Sequence, residues 1–413
     1  MADYAKINDV PAANIASYAS VPKANIANVG GAITTPSSGA TMWALCSTDM
    51  YISWVNSADV ADVTAWEGNI HRLESSGADS FDIAYGLDSN GGSPMWMTIW
   101  NAGADEIKFD ANNDITDEST WSTHNIHADY GGARQSTIVY GAGDGTSDSS
   151  SGGAVTRVGC WLAAGRTTSG NSWVHRSVDG GSNWTHLNLE GLTNLVGATG
   201  ADNYMTGLAS DGLGNWMVGW KGNLYLSTDS AVSFSFLIQP TGNGTHLIRD
   251  IAYTNGTWVV ISKNGSELQV ATCAGSTAAN MDASGDWSSA VVLEDASSNG
   301  LNGNVAQIRA AAAGGRVVVI DTARTLAFTV NGKNNPVIQG TRQDMPDEGN
   351  LNCISTDGTT WLAGSDGGSS GADGGDVCRS LDGGESWTKI CEGIAVSGDR
   401  KIEGIAANII YPI

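Results

Sequence analysis

Short apolar runs recur along the chain, each broken by a tight turn of Gly, Asn, Asp, Ser or Thr and followed by a second apolar run that is often led by Trp. The segments MTGLASDGLGNWMVGW (205–220), LIRDIAYTNGTWVVIS (247–262) and LNCISTDGTTWLAGS (351–365) show it most clearly, and related pieces lie at 80–100, 136–165 and 307–321. Alternating apolar runs of this length, bounded by turn residues, predict pairs of antiparallel strands. Helix-period stretches are missing, which excludes alternating α/β architectures. Six complete units begin near residues 81, 135, 204, 247, 305 and 350, a spacing of about 43 to 69 residues. That spacing suits four-stranded blades joined by loops of variable length.

The two ends supply one further unit. Residues 402–408 (IEGIAAN) resemble a first strand such as 248–255 (IRDIAYTN), yet no second strand follows them. Conversely, Met42-Trp43-Ala44-Leu45-Cys46 opens like a second strand and continues with Tyr51-Ile52-Ser53-Trp54 and then Trp66. The C-terminal strand therefore completes the first blade, which removes the unpaired edges of an open array. The predicted fold is all-β: a seven-bladed β-propeller of four-stranded antiparallel blades over 41–413, closed by its C-terminal strand. Six or eight blades result if a unit has been split or merged.

An eight-residue motif adds detail. Ser177-Val178-Asp179-Gly180-Gly181-Ser182-Asn183-Trp184 and Ser380-Leu381-Asp382-Gly383-Gly384-Glu385-Ser386-Trp387 share the pattern S-x-D-x-G-x-x-W, and Ser227, Asp229 and Phe234 mark a degenerate third copy. The Asp accepts backbone N–H bonds inside a tight turn, the Gly takes a φ that side chains disfavour, and the aromatic residue starts the next strand. These segments resemble the Asp-box (BNR repeat) of sialidase-type β-propellers. That resemblance implies a box joining the third and fourth strands of a blade.

Residues 1–40 do not follow the blade pattern. They repeat Val10-Pro11-Ala12-Ala13-Asn14-Ile15-Ala16 as Val21-Pro22-Lys23-Ala24-Asn25-Ile26-Ala27, a period of 11 residues. Such a period suits a right-handed coiled coil, but Pro11 and Pro22 each remove a backbone donor and break a continuing helix. An extended or hairpin arrangement is expected, with Val10, Ile15, Val21 and Ile26 as apolar contacts. A segment this short cannot bury a core of its own, and residues 34–41 read as a linker. With Lys6-Ile7-Asn8-Asp9-Val10, the repeats resemble the N-terminal leaders of virion structural proteins from tailed bacteriophages, particularly marine ones. The resemblance implies a leader docked to other virion proteins and a propeller exposed on capsid, tail or baseplate after assembly in the host cytoplasm, with decoration or host contact, including host-surface glycan, as its role.

Composition narrows the partners. With 54 Gly against 8 Pro, and 15 Trp against 5 Phe, the chain is built of many turns and a recurring large aromatic. Forty-three acids against 20 bases give a formal charge of −23, a field that repels nucleic acid and anionic membrane surfaces. The N-terminus shows no basic region followed by an apolar run, so no signal peptide is expected. No apolar stretch approaches the roughly 20 residues that span a bilayer. The cysteines Cys46, Cys160, Cys273, Cys353, Cys378 and Cys391 form no C-x-x-C pair, so zinc is not indicated. Buried thiols are expected, with one disulfide among Cys353, Cys378 and Cys391 as the alternative.

The resemblance to sialidase-type propellers implies glycoside cleavage as an expectation. That family carries an arginine cluster, a Tyr–Glu pair, an acidic proton donor and an Arg-Ile-Pro type motif near its start. Here the arginines before residue 160 are only Arg72, Arg134 and Arg157, and the motif is missing. A box is a fold element and does not carry the activity, so no catalytic residue and no enzyme activity are assigned. The alternative reading is a carbohydrate-binding or glycoside-hydrolysing propeller. Its carboxylates, about 5 to 10 Å apart, would come from Asp59, Asp62, Asp82, Asp105, Glu106, Asp250, Glu294 and Asp295. A third reading, an assembly factor of the kind some Asp-box propellers are, calls for a basic docking patch, and bases are thin. His124 and His127 fall on an outer strand where they point apart, and His71, His175, His186 and His246 read as isolated. The Asp/Gly-rich loop 366–376 offers oxygens that suit calcium but lacks EF-hand spacing, and the glycine-rich loop 141–153 precedes no helix. No cofactor and no metal are therefore assigned.

Overall fold

In the computed structural model, seven four-stranded antiparallel sheets follow one another around a ring as the blades of a β-propeller. Beyond the paired dipeptides Ser17–Tyr18 and Val21–Pro22, the structure describes residues 41–410 except 49, 74–79, 89–91, 102–106, 128–133, 149–154, 167–171, 188–206, 221, 239–246, 276–279, 304–307, 331–335, 346–348, 368–373 and 395–400. From the inside outward, blade 2 is Ser80–Leu87, Pro94–Asn101, Ile107–Asn112 and Ser122–His127. Blade 3 is Arg134–Gly141, Cys160–Arg166, Ser172–Ser177 and Thr185–His186. Blade 4 is Gly207–Ser210, Trp216–Trp220, Asn223–Ser227 and Ser235–Ile238. Blade 5 is Leu247–Thr254, Thr257–Asn264, Glu267–Cys273 and Val291–Val292. Blade 6 is Arg309–Ala313, Arg316–Ile320, Arg324–Val330 and Pro336–Asp344. Blade 7 is Leu351–Thr356, Trp361–Ser365, Gly375–Ser380 and Thr388–Ile394.

Blade 1 joins both ends of the ring. Its inner strand is Ile402–Ala407, paired with Met42–Ser47, then Tyr51–Asn56 and Ile70–Arg72. The register sets Trp43 opposite Ala407 and Leu45 opposite Ile405. Two bonds extend it: Met42 N donates to Asn408 Oδ1 at 2.7 Å, and Asn408 N to Met42 O at 2.9 Å. The closure read from the sequence is therefore present, residue against residue.

Each blade turns where the sequence supplies the backbone. Asn255 and Gly256, at φ 48° and 74°, join the first two strands of blade 5, as a two-residue hairpin whose twist matches its strands requires. Six second strands then open on Trp43, Trp96, Trp161, Trp216, Trp258 and Trp361, opposite Ala407, Tyr85, Tyr140, Ser210, Tyr253 and Thr356. Blade 6 departs from the rule, with Val317 opposite Ala312. The apolar core is divided among the faces between blades. Trp216, Val218 and Tyr225 pack with Cys160, Leu162 and Val174 between blades 3 and 4, while Trp43, Leu45 and Trp66 pack with Leu362 and Val377 between blades 7 and 1. Burying a side chain of this size contributes about 1.5–3 kcal/mol before entropy is counted.

Three features depart from the strand pattern. Trp66 does not continue a strand; it lies on a short helix, α1 (Val63–Gly68), capped by Asp62, whose side chain accepts from Thr64 N. Its indole is fully buried and donates to Val60 O at 3.0 Å. The loop after the first strand of blade 3 carries a small pairing of Ser147–Asp148 with Val155–Thr156. Glu294–Asp295, between blades 5 and 6, pairs in parallel with Gln339 and Gly340 and covers the outer edge of blade 6, a protection for an otherwise open strand. All six cysteines are buried free thiols. No helix among the described residues is long and apolar enough to cross a membrane.

Candidate functional site

Two constellations carry the polar side chains of interest: the turns on one face of the ring and the central channel. The three S-x-D segments each join the third and fourth strands of a blade, in blades 3, 4 and 7. In blade 3, Ser177 Oγ donates to Asp179 Oδ1 at 2.8 Å, and accepts from Gly181 N at 2.8 Å. Asp179 Oδ1 also accepts from Asn183 N at 2.9 Å. In blade 7 the corresponding distances for Ser380, Asp382, Gly384 and Ser386 are 2.7, 2.8 and 2.9 Å. Trp184, Phe234 and Trp387 each sit immediately before the fourth strand.

The degenerate copy in blade 4 makes the same bonds. Ser227 Oγ donates to Asp229 Oδ1 at 2.7 Å and accepts from Ala231 N at 2.9 Å. Its Ser230 and Ala231 sit at φ 57° and 59°, where the full copies have Gly180–Gly181 and Gly383–Gly384. Left-handed backbone costs a side-chain-bearing residue about 1–2 kcal/mol. Ser230 offsets this by reaching the neighbouring blade: its Oγ accepts from Val158 N at 2.8 Å, and its carbonyl from Arg176 Nε at 2.6 Å.

These turns staple adjacent blades. Arg157, from blade 3, donates through Nε to Thr228 O of blade 4 at 2.9 Å. Arg316, from blade 6, donates in the same way to Gly383 O of blade 7 at 2.8 Å and reaches Glu385 at 3.1 Å. Partial burial works against ionising Asp179 and Asp382, but the bonds from Asn183 and Ser177, and from Ser386 and Ser380, outweigh it and hold both carboxyls below the usual range.

The channel is framed by the seven inner strands and encloses about 310 Å³. In five blades the inner strand carries a bulge near its start, where its pairing skips a residue: before Asp82, between Arg134 and Thr137, before Asp250, before Cys353 and at Glu403. A bulge re-aims the side chains around it. Asp82 Oδ2 accepts from Thr137 Oγ1 at 2.7 Å and Ile138 N at 3.1 Å, and its Oδ1 from Ile83 N at 2.9 Å. Asp250 Oδ2 accepts from Ala310 N at 2.7 Å and its Oδ1 from Ile251 N at 2.8 Å. Each aspartate thus latches its own inner strand to that of the next blade, 2 to 3 and 5 to 6.

Burial dominates the electrostatics here. It raises the Asp82 carboxyl, against the pull of Arg309 and of the bonds from Thr137, Ile138 and Ile83. It pushes Asp250 up to about 7, against Arg309 and the bonds from Ala310 and Ile251, with the charge of Asp82 adding to the rise. Further along the inner strands, Tyr85, Tyr140 and Tyr253 lean on Trp96, Trp161 and Trp258 with ring centroids 4.9, 5.2 and 4.7 Å apart. A second recess of about 360 Å³ lies between blades 2 and 3, lined by Asp88, Asn113, Thr120, His124 and Asp179 among others.

Of the carboxylates drawn from the sequence, the fold brings only Asp82 and Asp250 to the channel. Asp59 and Asp62 lie just before α1 in blade 1, Glu294 and Asp295 line the edge of blade 6, and Asp105 and Glu106 lie outside the described residues. A signal for the channel pair was present: Asp82-Ile83-Ala84-Tyr85 recurs as Asp250-Ile251-Ala252-Tyr253. Arg309 carries no such signal, because blade 6 lacks both the Tyr and the Trp of that pattern. The histidines are not all isolated. His175 and His186 are cross-strand partners flanking the blade 3 turn, with ring centroids 4.9 Å apart.

At the two ends of the Asp/Gly-rich loop the acids already have partners. Asp366 accepts from Asn350 and faces Lys401 at 3.5 Å, and Asp376 accepts from Gly393 N at 2.9 Å and faces Lys389 at 3.6 Å. Among the described residues no group of three His, Cys, Asp or Glu is arranged to hold a metal ion. All 15 tryptophans are described; Trp121, Trp184 and Trp387 are half-buried and the others buried. Of the attachment segment, Val21 and Pro22 pair with Tyr18 and Ser17, whereas Val10, Pro11, Asn14, Ile15, Asn25 and Ile26 lie outside the described residues.

No protein family and no curated relative matches the sequence. Solved structures with a similar course of chain include the α-L-arabinofuranosidase Arb93A from Fusarium graminearum in complex with an iminosugar inhibitor, with TM-score 0.43, 11% identity, and 70% of this chain and 88% of that one covered. A Bacteroides uniformis protein described provisionally as a 6-phosphogluconolactonase reaches TM-score 0.48 at 12% identity, covering 89% and 99%. The Aleuria aurantia lectin bound to a fucosylated sugar gives 0.39 at 10%, covering 77% and 95%. These likenesses carry no functional inference, and the propeller fold rests on the sheets themselves.

Proposed function

We propose that this chain is a non-enzymatic Asp-box propeller of a bacteriophage virion, displayed on capsid, tail or baseplate and anchored to other virion proteins through residues 1–40. The observation that carries the reading is the closure of the ring. Ile402–Ala407 completes blade 1 on Met42–Ser47, so no residue before 41 is needed to finish the propeller. The repeated V-P-x-A-N-I-A segments are thus left for a task outside it. The non-enzymatic part is supported by the use of the polar groups: the turn aspartates and the channel aspartates are engaged in holding turns and neighbouring blades together.

The test is a virion with residues 1–40 deleted from this protein. The expected result is a chain of unchanged circular dichroism and melting temperature that no longer joins the particle. Incorporation at the normal level would overturn the reading.

A further inference from the structure

The start of the channel holds an arrangement that the anchoring role does not use. Arg309 begins the inner strand of blade 6, beside Ala310, whose N–H is bonded to Asp250. Its positive charge acts on both Asp82 and Asp250, which stand on blades three places apart around the ring. Yet the guanidinium bonds to neither: the donors to Asp82 are Ile83, Thr137 and Ile138, and those to Asp250 are Ile251 and Ala310. The reason is local. Both carboxylates are held by backbone N–H groups of adjacent inner strands, and neither can swing to meet the guanidinium without opening a latch.

The result is one guanidinium and three carboxyl side chains, Asp82, Asp250 and Glu403, around a common space. A guanidinium presents five N–H donors in a planar fork that matches a carboxylate. Asp82 accepts three bonds and Asp250 two. A carboxylate has about four lone-pair sites, so acceptor capacity remains for donors from a ligand. Asp250 in particular is 7% exposed, with its charged form poorly supported by its surroundings. An ammonium group supplies the missing charge. The cavity, about 310 Å³, has room for roughly ten waters, which suits a small molecule and excludes a folded partner.

We propose that this end of the channel is a binding site for a small zwitterion, an α-amino acid or an amine-bearing acid of similar size. Its carboxylate rests on Arg309 and its ammonium lies between Asp82 and Asp250. A simple anion is repelled by Asp82, Asp250 and Glu403, and a simple amine leaves the guanidinium unfilled, so both charges are needed on one molecule.

The test is calorimetric titration of the full chain at pH 7.5 with glycine, alanine, glutamate and lysine, each beside its N-acetyl and amide derivatives. At least one free amino acid should bind, with affinity about tenfold or more lower for both derivatives, the loss of one charge-assisted contact. Binding should release protons, read by repeating the titration in buffers of different ionisation enthalpy, because an ammonium beside Asp250 favours its charged form. Arg309→Gln should abolish binding while the circular dichroism of the propeller is unchanged, since the strand pairing of residue 309 with Ile320 does not depend on its side chain. Failure of all four amino acids, equal binding of the derivatives or of a neutral polyol such as glycerol, or unchanged binding by Arg309→Gln would each overturn the proposal. None of these outcomes bears on residues 1–40, so the anchoring role stands or falls separately.

Discussion

The same side chain behaves in opposite ways in two parts of this propeller. On the turn face, Asp179 and Asp382 lie near solvent with a Ser and a backbone N–H turned toward each, and their carboxyls are held below the ordinary range. In the channel, Asp82 and Asp250 also accept N–H bonds, but burial outweighs those bonds and raises both. Bond counting alone does not predict the sign. A carboxylate in a wet turn gains from every donor, while one in the channel first loses its hydration.

The comparison can be pressed experimentally, beginning with the largest effect. For Asp250 the folded value, about 7, stands above the unfolded one, so the folded state holds the proton longer. Its contribution to stability is full below about pH 4 and is lost as pH rises toward about 7, roughly a few kcal/mol in all. Asp250→Asn should flatten that part of the stability profile, measured by denaturant unfolding at pH 4.5 and pH 8. An unchanged slope would mean that Asp250 is better solvated than its latch suggests.

The turn aspartates predict the reverse trend. Their contribution is present above the unfolded value and fades as pH falls through the lowered folded one. Asp382→Ala removes the bonds from Ser380 Oγ and Ser386 N, and should cost about 2 kcal/mol at pH 7, with the difference from wild type shrinking in acid. A loss that is the same at pH 3 and pH 7 would show that turn geometry, and not charge, carries the motif.

A smaller effect tests whether the turns act between blades. Arg316→Ala breaks the bond to Gly383 O and the contact with Glu385, and should cost about 1 kcal/mol. Arg157→Ala, on Thr228 O, should cost a similar amount. If the two were additive with Asp382→Ala, blades 3–4 and blades 6–7 would be independent seams; coupling is expected only between Arg316 and Asp382, which share one turn. The smallest effect belongs to Leu381, exposed at 65% on the tip of the blade 7 turn. Leu381→Ser should change stability by less than about 0.5 kcal/mol, and a larger fall would reveal a packing partner for that tip.

Much of the architecture was legible because a blade is a local object. A strand, a two-residue turn and a Trp-led strand lie within about twenty residues, so LIRDIAYTNGTWVVIS (247–262) carries its own pairing, Tyr253 opposite Trp258. Ring closure was legible for the same reason: IEGIAAN at 402–408 looked like a first strand without its partner, and Met42–Cys46 like the partner without its first strand. The third S-x-D turn was harder to read, since Ser230 and Ala231 stand where the other two copies have glycines. Its turn survives because Ser230 is held by Val158 and Arg176 of the preceding blade, contacts that no local pattern contains. Trp66 was misplaced because a single helical turn has too few residues to show a period.

The sequence by itself thus determined the strands, their turns, the number of blades and the way the ring closes, since each follows from backbone preference and apolar alternation over short separations. Only the tertiary structure decided which of forty-three acids matter to the channel. Asp82, Asp250 and Arg309 are spread over more than two hundred residues of chain. They meet because a seven-membered ring turns its inner strands toward one axis, and the charge of the two aspartates depends on the water that the ring takes away.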